Sequence, residues 1–212
     1  MQQFEMFSVI IHISSKTTYT YMIKLAIFAS GNGTNAQRIS EYFATSNTIQ
    51  VECIIYNRKD AYVAERAKRL NIPAIYFSRD DFYTNGQVLQ YLKEHGIEWI
   101  ILAGFLWLVP TEILNAFPNH IINIHPALLP KYGGKGMYGE HVHHAVIANH
   151  EHESGITIHI VDNQYDKGTT LFQAKCKLTP EDTPDTLAAK IHELEQTYFP
   201  VIIEKTISPE NR

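Results

Sequence analysis

Cysteine is almost missing from this chain: Cys53 and Cys176 are the only two in 212 residues, and each sits in an apolar run that reads as a strand. Two isolated thiols make no disulfide framework and favour a reducing compartment, so the cytoplasm is expected. No apolar run reaches the ~18 residues that suggest a membrane span, and no basic segment leads into an apolar core near the N-terminus. No sign of charge prevails either. A net charge of -4 with 19% charged residues carries no electrostatic footprint for nucleic acid or an anionic membrane, which leaves small molecules as the expected ligands. Both the Walker phosphate motif and the G-x-G-x-x-G dinucleotide loop are lacking, so a dinucleotide site has no support.

What is present is an alternation of strands and helices. Apolar runs at 23–29, 51–56, 74–77 and 99–103 read as strands, with helical patterns at 36–43, 61–70 and 86–95 between them. This β-α-β-α order predicts one α/β domain with a doubly wound, mostly parallel sheet. Two further strands, 155–161 and 170–178, flank a connection short enough for a hairpin, so the C-terminal edge is expected to be antiparallel. Residues 1–21 fit no period and read as an N-terminal extension, disordered or a non-native start, ahead of a domain spanning 22–212.

Chemistry concentrates in three places. Asn119 to Pro130 forms a short apolar strand ending in a proline-bounded loop, and alternation puts Asn123 and His125 on one face and Ile122 and Ile124 on the other. Open α/β sheets bind ligands at the carboxyl ends of their strands, where this amide and imidazole stand. The loop Ser30-Gly31-Asn32-Gly33-Thr34-Asn35 joins a strand to a helix N-terminus, which suits a phosphate but equally a bare tight turn. Leu106, Trp107, Leu108 and Val109 leave a buried strand in one apolar row, fit either to line a pocket for a flat ring or to pack beneath a helix over 111–117.

Other features are more ordinary. His141, His143, His144, His150 and His152 crowd a helix over 138–149 that should bury Val142, Ala145 and Val146; they are scattered around it without metal-ligand spacing, so no metal is expected. The last helix has Thr183 as its cap, Pro184 and Asp185 in its first turn, and an expected apolar stripe of Leu187, Ile191, Leu194, Tyr198 and Ile202, with Glu195 bordering it.

Taken in order and spacing, Ser30 to Asn35, Leu102-Ala103-Gly104-Phe105, Asn123 to Pro130 and Asp162 to Asp166 resemble the phosphoribosylglycinamide formyltransferases over residues 22 to about 205. The resemblance implies a formyltransferase-type Rossmann-like fold and the transfer of a formyl group from 10-formyltetrahydrofolate to the amine of glycinamide ribonucleotide in purine biosynthesis, by a monomer or homodimer without metal. It implies that Gly33, Thr34 and Asn35 hold the phosphate, and that Glu195 with His192, Glu193 and Leu194 holds the ribose and glycinamide end. Leu106 to Val109, Asn123 and the segment Asp162, Asn163, Gln164, Tyr165 and Asp166 would hold the folate. Asn123 and His125 would donate to a tetrahedral oxyanion, with Asp166 raising the pKa of His125 to favour imidazolium.

The chain departs from the resemblance at Lys167, where many members have glycine, at Trp107, where some have arginine, and around Asp81, where a folate-side arginine is missing although Arg79 is near. Two rival formyl chemistries are disfavoured. A 10-formyltetrahydrofolate hydrolase would bring a regulatory domain upstream, and a methionyl-tRNA formyltransferase would bring a nucleic-acid-binding domain downstream. A nucleotide-binding module without formyl transfer is the alternative from another class.

Overall fold

The computed structural model describes residues 21–162, 166 and 168–208; the expected extension up to residue 20, and Asn163, Gln164, Tyr165 and Lys167, lie outside the described residues. Strands β1 (Ile23–Ala29), β2 (Ile49–Tyr56), β3 (Ala74–Tyr76), β4 (Trp99–Leu102), β5 (Ile121–His125), β6 (Glu153–Ile160) and β7 (Thr170–Lys177) form one sheet in the order β3-β2-β1-β4-β5-β6-β7. Pairing is parallel from β3 through β5 and antiparallel from β5 to β6 and from β6 to β7. The helices are α1 (Thr34–Phe43), α2 (Val63–Arg69), α3 (Arg79–Tyr83), α4 (Gln87–Glu94), α5 (Thr111–Ala116), α6 (Glu140–Ala148) and α7 (Pro184–Ile207).

Parallel strands covered on both faces must be apolar on both, and these are. Leu25, Ile27, Ile101, Ile122 and Ile124 face a core shared with α1, α6 and α7. Ala26, Phe28, Ile100, Leu102 and Ile121 face a second core shared with α4 and α5. Between β1 and β4 the strand order reverses direction, and at such a switch point the loops leaving the two strands splay to opposite faces and open a crevice. Ser30, itself buried, spans that crevice: its N–H donates to the Gly104 carbonyl at 3.1 Å, and its Oγ accepts from the Leu106 N–H at 2.9 Å.

Three expectations change. The five-residue helix α3, which has no apolar period long enough to read, is set by a capping box in which Ser78 and Asp81 satisfy each other's backbone N–H groups. In α6 the buried third residue is His143, not Ala145, because the helix turns that face toward α7. The buried row of α7 is Leu187, Ile191, Phe199, Ile203 and Ile207, steps of four in which Glu195 occupies the middle place; Leu194, Tyr198 and Ile202 are only partly buried. Pro200 lies inside α7 and cannot donate to the Gln196 carbonyl, which instead accepts from Arg38 Nε of α1 at 3.1 Å.

The β6–β7 pairing tolerates no side chain at Gly155, where an added Cβ would stand 1.9 Å from the Ala174 carbonyl oxygen and 2.7 Å from Leu128 Cδ2. Gly155→Ala should therefore cost about 3 kcal/mol and lower the thermal midpoint by roughly 6–12 °C. Calorimetry of the two proteins checks this; an unchanged midpoint would mean that the strand slides freely.

Candidate active site

A cavity of about 720 Å³ opens along the carboxyl ends of β1, β4 and β5. Its back wall is β5. Asn123 and His125 reach it from the face predicted by alternation, and Asp166 comes from the β6–β7 connection.

His125 is 4% exposed, and its Nε2 lies 2.7 Å from the Tyr132 carbonyl oxygen. A carbonyl only accepts, so Nε2 carries the proton and Nδ1 is the bare nitrogen of the neutral ring. Asp166 Oδ2 stands 3.6 Å from Nδ1 and accepts from the Gly134 N–H at 2.8 Å. Burial lowers the His125 pKa more than the attraction of Asp166 and the bond to Tyr132 raise it, so the net direction is below the ordinary histidine value. Asp166 acts in the expected direction, but burial is the larger effect, so the net shift runs against the expected imidazolium and favours a neutral ring with Nδ1 facing Asp166, which would stabilise a proton taken up there.

His159 is a member of this cluster that sequence reasoning passed over. Its strand position is directly opposite Asn123 in the β5–β6 ladder. Its Nδ1 is 3.0 Å from the Ile160 carbonyl and must carry the proton, which leaves Nε2 to accept from Asn123 Nδ2 at 3.1 Å. The Asn123 amide is held with its NH₂ toward His159, and one N–H remains for a ligand. Burial depresses the His159 pKa against smaller opposing effects of Ile160 and Asp166, whose Oδ1 is 3.7 Å away, so the acceptor lone pair persists at neutral pH.

The glycine loop lines the cavity. Gly33 has φ +77°, and an added Cβ there would meet Val63 Cγ2 at 2.4 Å, so two separate constraints require glycine. It precedes α1 without any side-chain cap, leaving first-turn N–H groups free to bind an anion. Arg66 braces the loop from behind, with Nε 2.7 Å from the Asn32 carbonyl and a further bond to Gln37. Asn35 Nδ2 donates to Glu195 Oε2 at 2.8 Å, and Gln196 donates to Asn35 Oδ1 at 2.7 Å, which fixes the carboxylate toward the cavity. His192 Nδ1 lies 3.8 Å from Glu195, whose proximity raises the histidine pKa. Glu193 and Leu194, expected beside them, do not line the cavity.

Another part of the lining is apolar. Leu106, Trp107, Leu108 and Val109 all line the cavity, with Leu106 and Leu108 47% and 39% exposed at its mouth. Phe82 of α3 supports the row, its ring 5.6 Å from Trp107 and 5.3 Å from Phe105. The Arg79 guanidinium lies over Trp107 and Tyr83 at 5.7 and 4.9 Å. Asp162 lines the cavity, as do Lys135, Tyr138 and His143, for which the sequence suggested no role. Among the described residues no group of three or more His, Cys, Asp or Glu side chains is placed to hold a metal ion.

The formyl transferase family model matches residues 23–203. The phosphoribosylglycinamide formyltransferase of Haemophilus influenzae is 34% identical over 86% of each chain, and the chloroplastic one of Arabidopsis thaliana is 39% identical over 84% of this chain. The chain spans 64% of the length of the Arabidopsis relative and 59% of that from Vigna unguiculata. Among solved structures, glycinamide ribonucleotide transformylase 1 of Geobacillus kaustophilus superimposes with a TM-score of 0.81 at 33% identity, over 89% of this chain and all of that one. The chain belongs to the formyl transferase family.

Proposed function

We propose that this protein transfers the formyl group of 10-formyltetrahydrofolate to the amine of glycinamide ribonucleotide, giving formylglycinamide ribonucleotide in purine biosynthesis. The observation that carries this reading is one cavity lined together by a helix N-terminus without a side-chain cap, an apolar row, and Asn123, His125 and Asp166. A phosphorylated acceptor suits the helix N-terminus and a flat pterin donor the apolar row, and under this reading the bond is made beside the three polar side chains. The phosphate goes to the backbone of Gly33, Thr34 and Asn35, with Glu195 and His192 along the sugar. The pterin lies on Leu106 to Val109, and Asp162 and Asp166 are near its other edge.

The glycinamide nitrogen attacks the formyl carbon, a C–N bond forms, and the carbonyl oxygen becomes an oxyanion. The free Asn123 N–H donates to that oxygen, from an amide that His159 already holds in place. The proton released by the amine goes to His125 Nδ1, and the imidazolium is stabilised by Asp166 at 3.6 Å. Collapse breaks the formyl bond to N10 of the folate, and the same proton ends on that nitrogen. The catalytic unit under this reading is residues 22–212, acting in the cytoplasm as monomer or homodimer; no step uses residues 1–21 or a metal.

The direct test is an absorbance assay of 10-formyltetrahydrofolate deformylation with and without glycinamide ribonucleotide. Turnover should require the acceptor and yield formylated product; acceptor-independent turnover would establish a hydrolase instead.

Asp166→Asn keeps the shape of the side chain and removes its charge. Turnover should fall by roughly 10² to 10⁴ while both ligands still bind. The sign of the accompanying pH effect is fixed. The base form of His125 is lost on protonation, so kcat/KM should fall on the acid side with an apparent pKa below the ordinary histidine value of 6.5. Loss of the Asp166 charge destabilises the imidazolium, so that limb should move to still lower pH in Asp166→Asn. A limb that moves upward, or a variant with wild-type turnover, would contradict the assigned roles.

A further inference from the structure

His143 is the one histidine of α6 turned inward, 7% exposed, on the stretch of cavity wall near Glu195. Its Nδ1 is sealed from solvent with no hydrogen-bond partner. A buried polar atom without a partner is costly, and a sealed N–H is the rarer and dearer kind, so the neutral ring places its proton on Nε2 and leaves only a lone pair sealed. The ring is neutral because burial lowers its pKa more than Glu195 and then Glu140 raise it, with His144 adding to the lowering. No hydrogen bond joins the resulting Nε2 donor to a described residue, and His143 lines the cavity.

The cavity wall thus offers a carboxylate that only accepts, Glu195, and an imidazole N–H that only donates, His143, close enough for the carboxylate to act on the ring. One kind of group satisfies both at once: a hydroxyl, which gives its proton to one and a lone pair to the other. A pentose carries such hydroxyls, and in the proposed acceptor it stands after the phosphate and before the amine. We propose that His143 is a ligand-binding residue that donates from Nε2 to a sugar hydroxyl of the acceptor, opposite Glu195, and so selects a pentose 5-phosphate over a simple phosphorylated amine. This rests on the acceptor assigned under the proposed function, but sugar recognition is measurable without formyl transfer.

The probe is ribose 5-phosphate, titrated calorimetrically into the wild-type protein, His143→Phe and His143→Gln, with inorganic phosphate and tetrahydrofolate as parallel ligands. His143→Phe keeps a ring in the wall and removes the donor; it should weaken ribose 5-phosphate about tenfold, the size of one hydrogen bond, and leave the other two ligands unchanged. His143→Gln restores an N–H donor and should recover part of the loss. Unchanged ribose 5-phosphate affinity in His143→Phe, equal weakening of all three ligands, or a wild-type protein that does not bind ribose 5-phosphate would each overturn the proposal. Binding that depends on His143 in a protein that fails to formylate glycinamide ribonucleotide would keep the proposal and overturn the assigned reaction.

Discussion

The site depends on an imidazole that is buried beside a carboxylate and yet uncharged. Asp166 raises the His125 pKa and burial lowers it; burial is the larger effect, so the pKa lies below the ordinary value. The Tyr132 carbonyl then decides which nitrogen is bare, because it can only accept from Nε2. A ring already protonated could not relieve an attacking amine of its proton. One held neutral, with an anion waiting at its bare nitrogen, can.

The sheet supplies the place for this. Parallel strands β1, β4 and β5 end at one edge, and reversal of strand order beside β1 opens the crevice there. Antiparallel β6 then brings His159 across from Asn123, so an amide that could rotate is instead fixed by a neighbour with a single available lone pair. On the far wall, α7 carries Glu195 in the same buried row as Ile191 and Phe199, tied down by Asn35. A carboxylate in an apolar row is costly unless a partner awaits it, which makes its position a ligand signal in its own right.

Local patterns made much of this legible in the sequence. Alternation in Asn123-Ile124-His125 gave the face, the glycine loop gave the turn into α1, and Thr183 with Pro184 gave the start of α7. What could not be read depends on contacts distant in sequence. The role of His159 follows from strand register, 36 residues away from Asn123. The charge state of His125 follows from how deeply the finished fold buries it. The buried row of α7 shifted because it steps by four along the whole helix, with Pro200 accommodated by Arg38, which no window of a few turns reveals.

The neutral, Nε2-protonated form of His125 is the central claim, and ring ¹⁵N chemical shifts of that residue at neutral pH test it most directly. Shifts of a protonated Nε2 and a bare Nδ1 are predicted, with Nδ1 gaining its proton only below pH 6.5. An imidazolium at neutral pH, or a proton resting on Nδ1 alone, would contradict it.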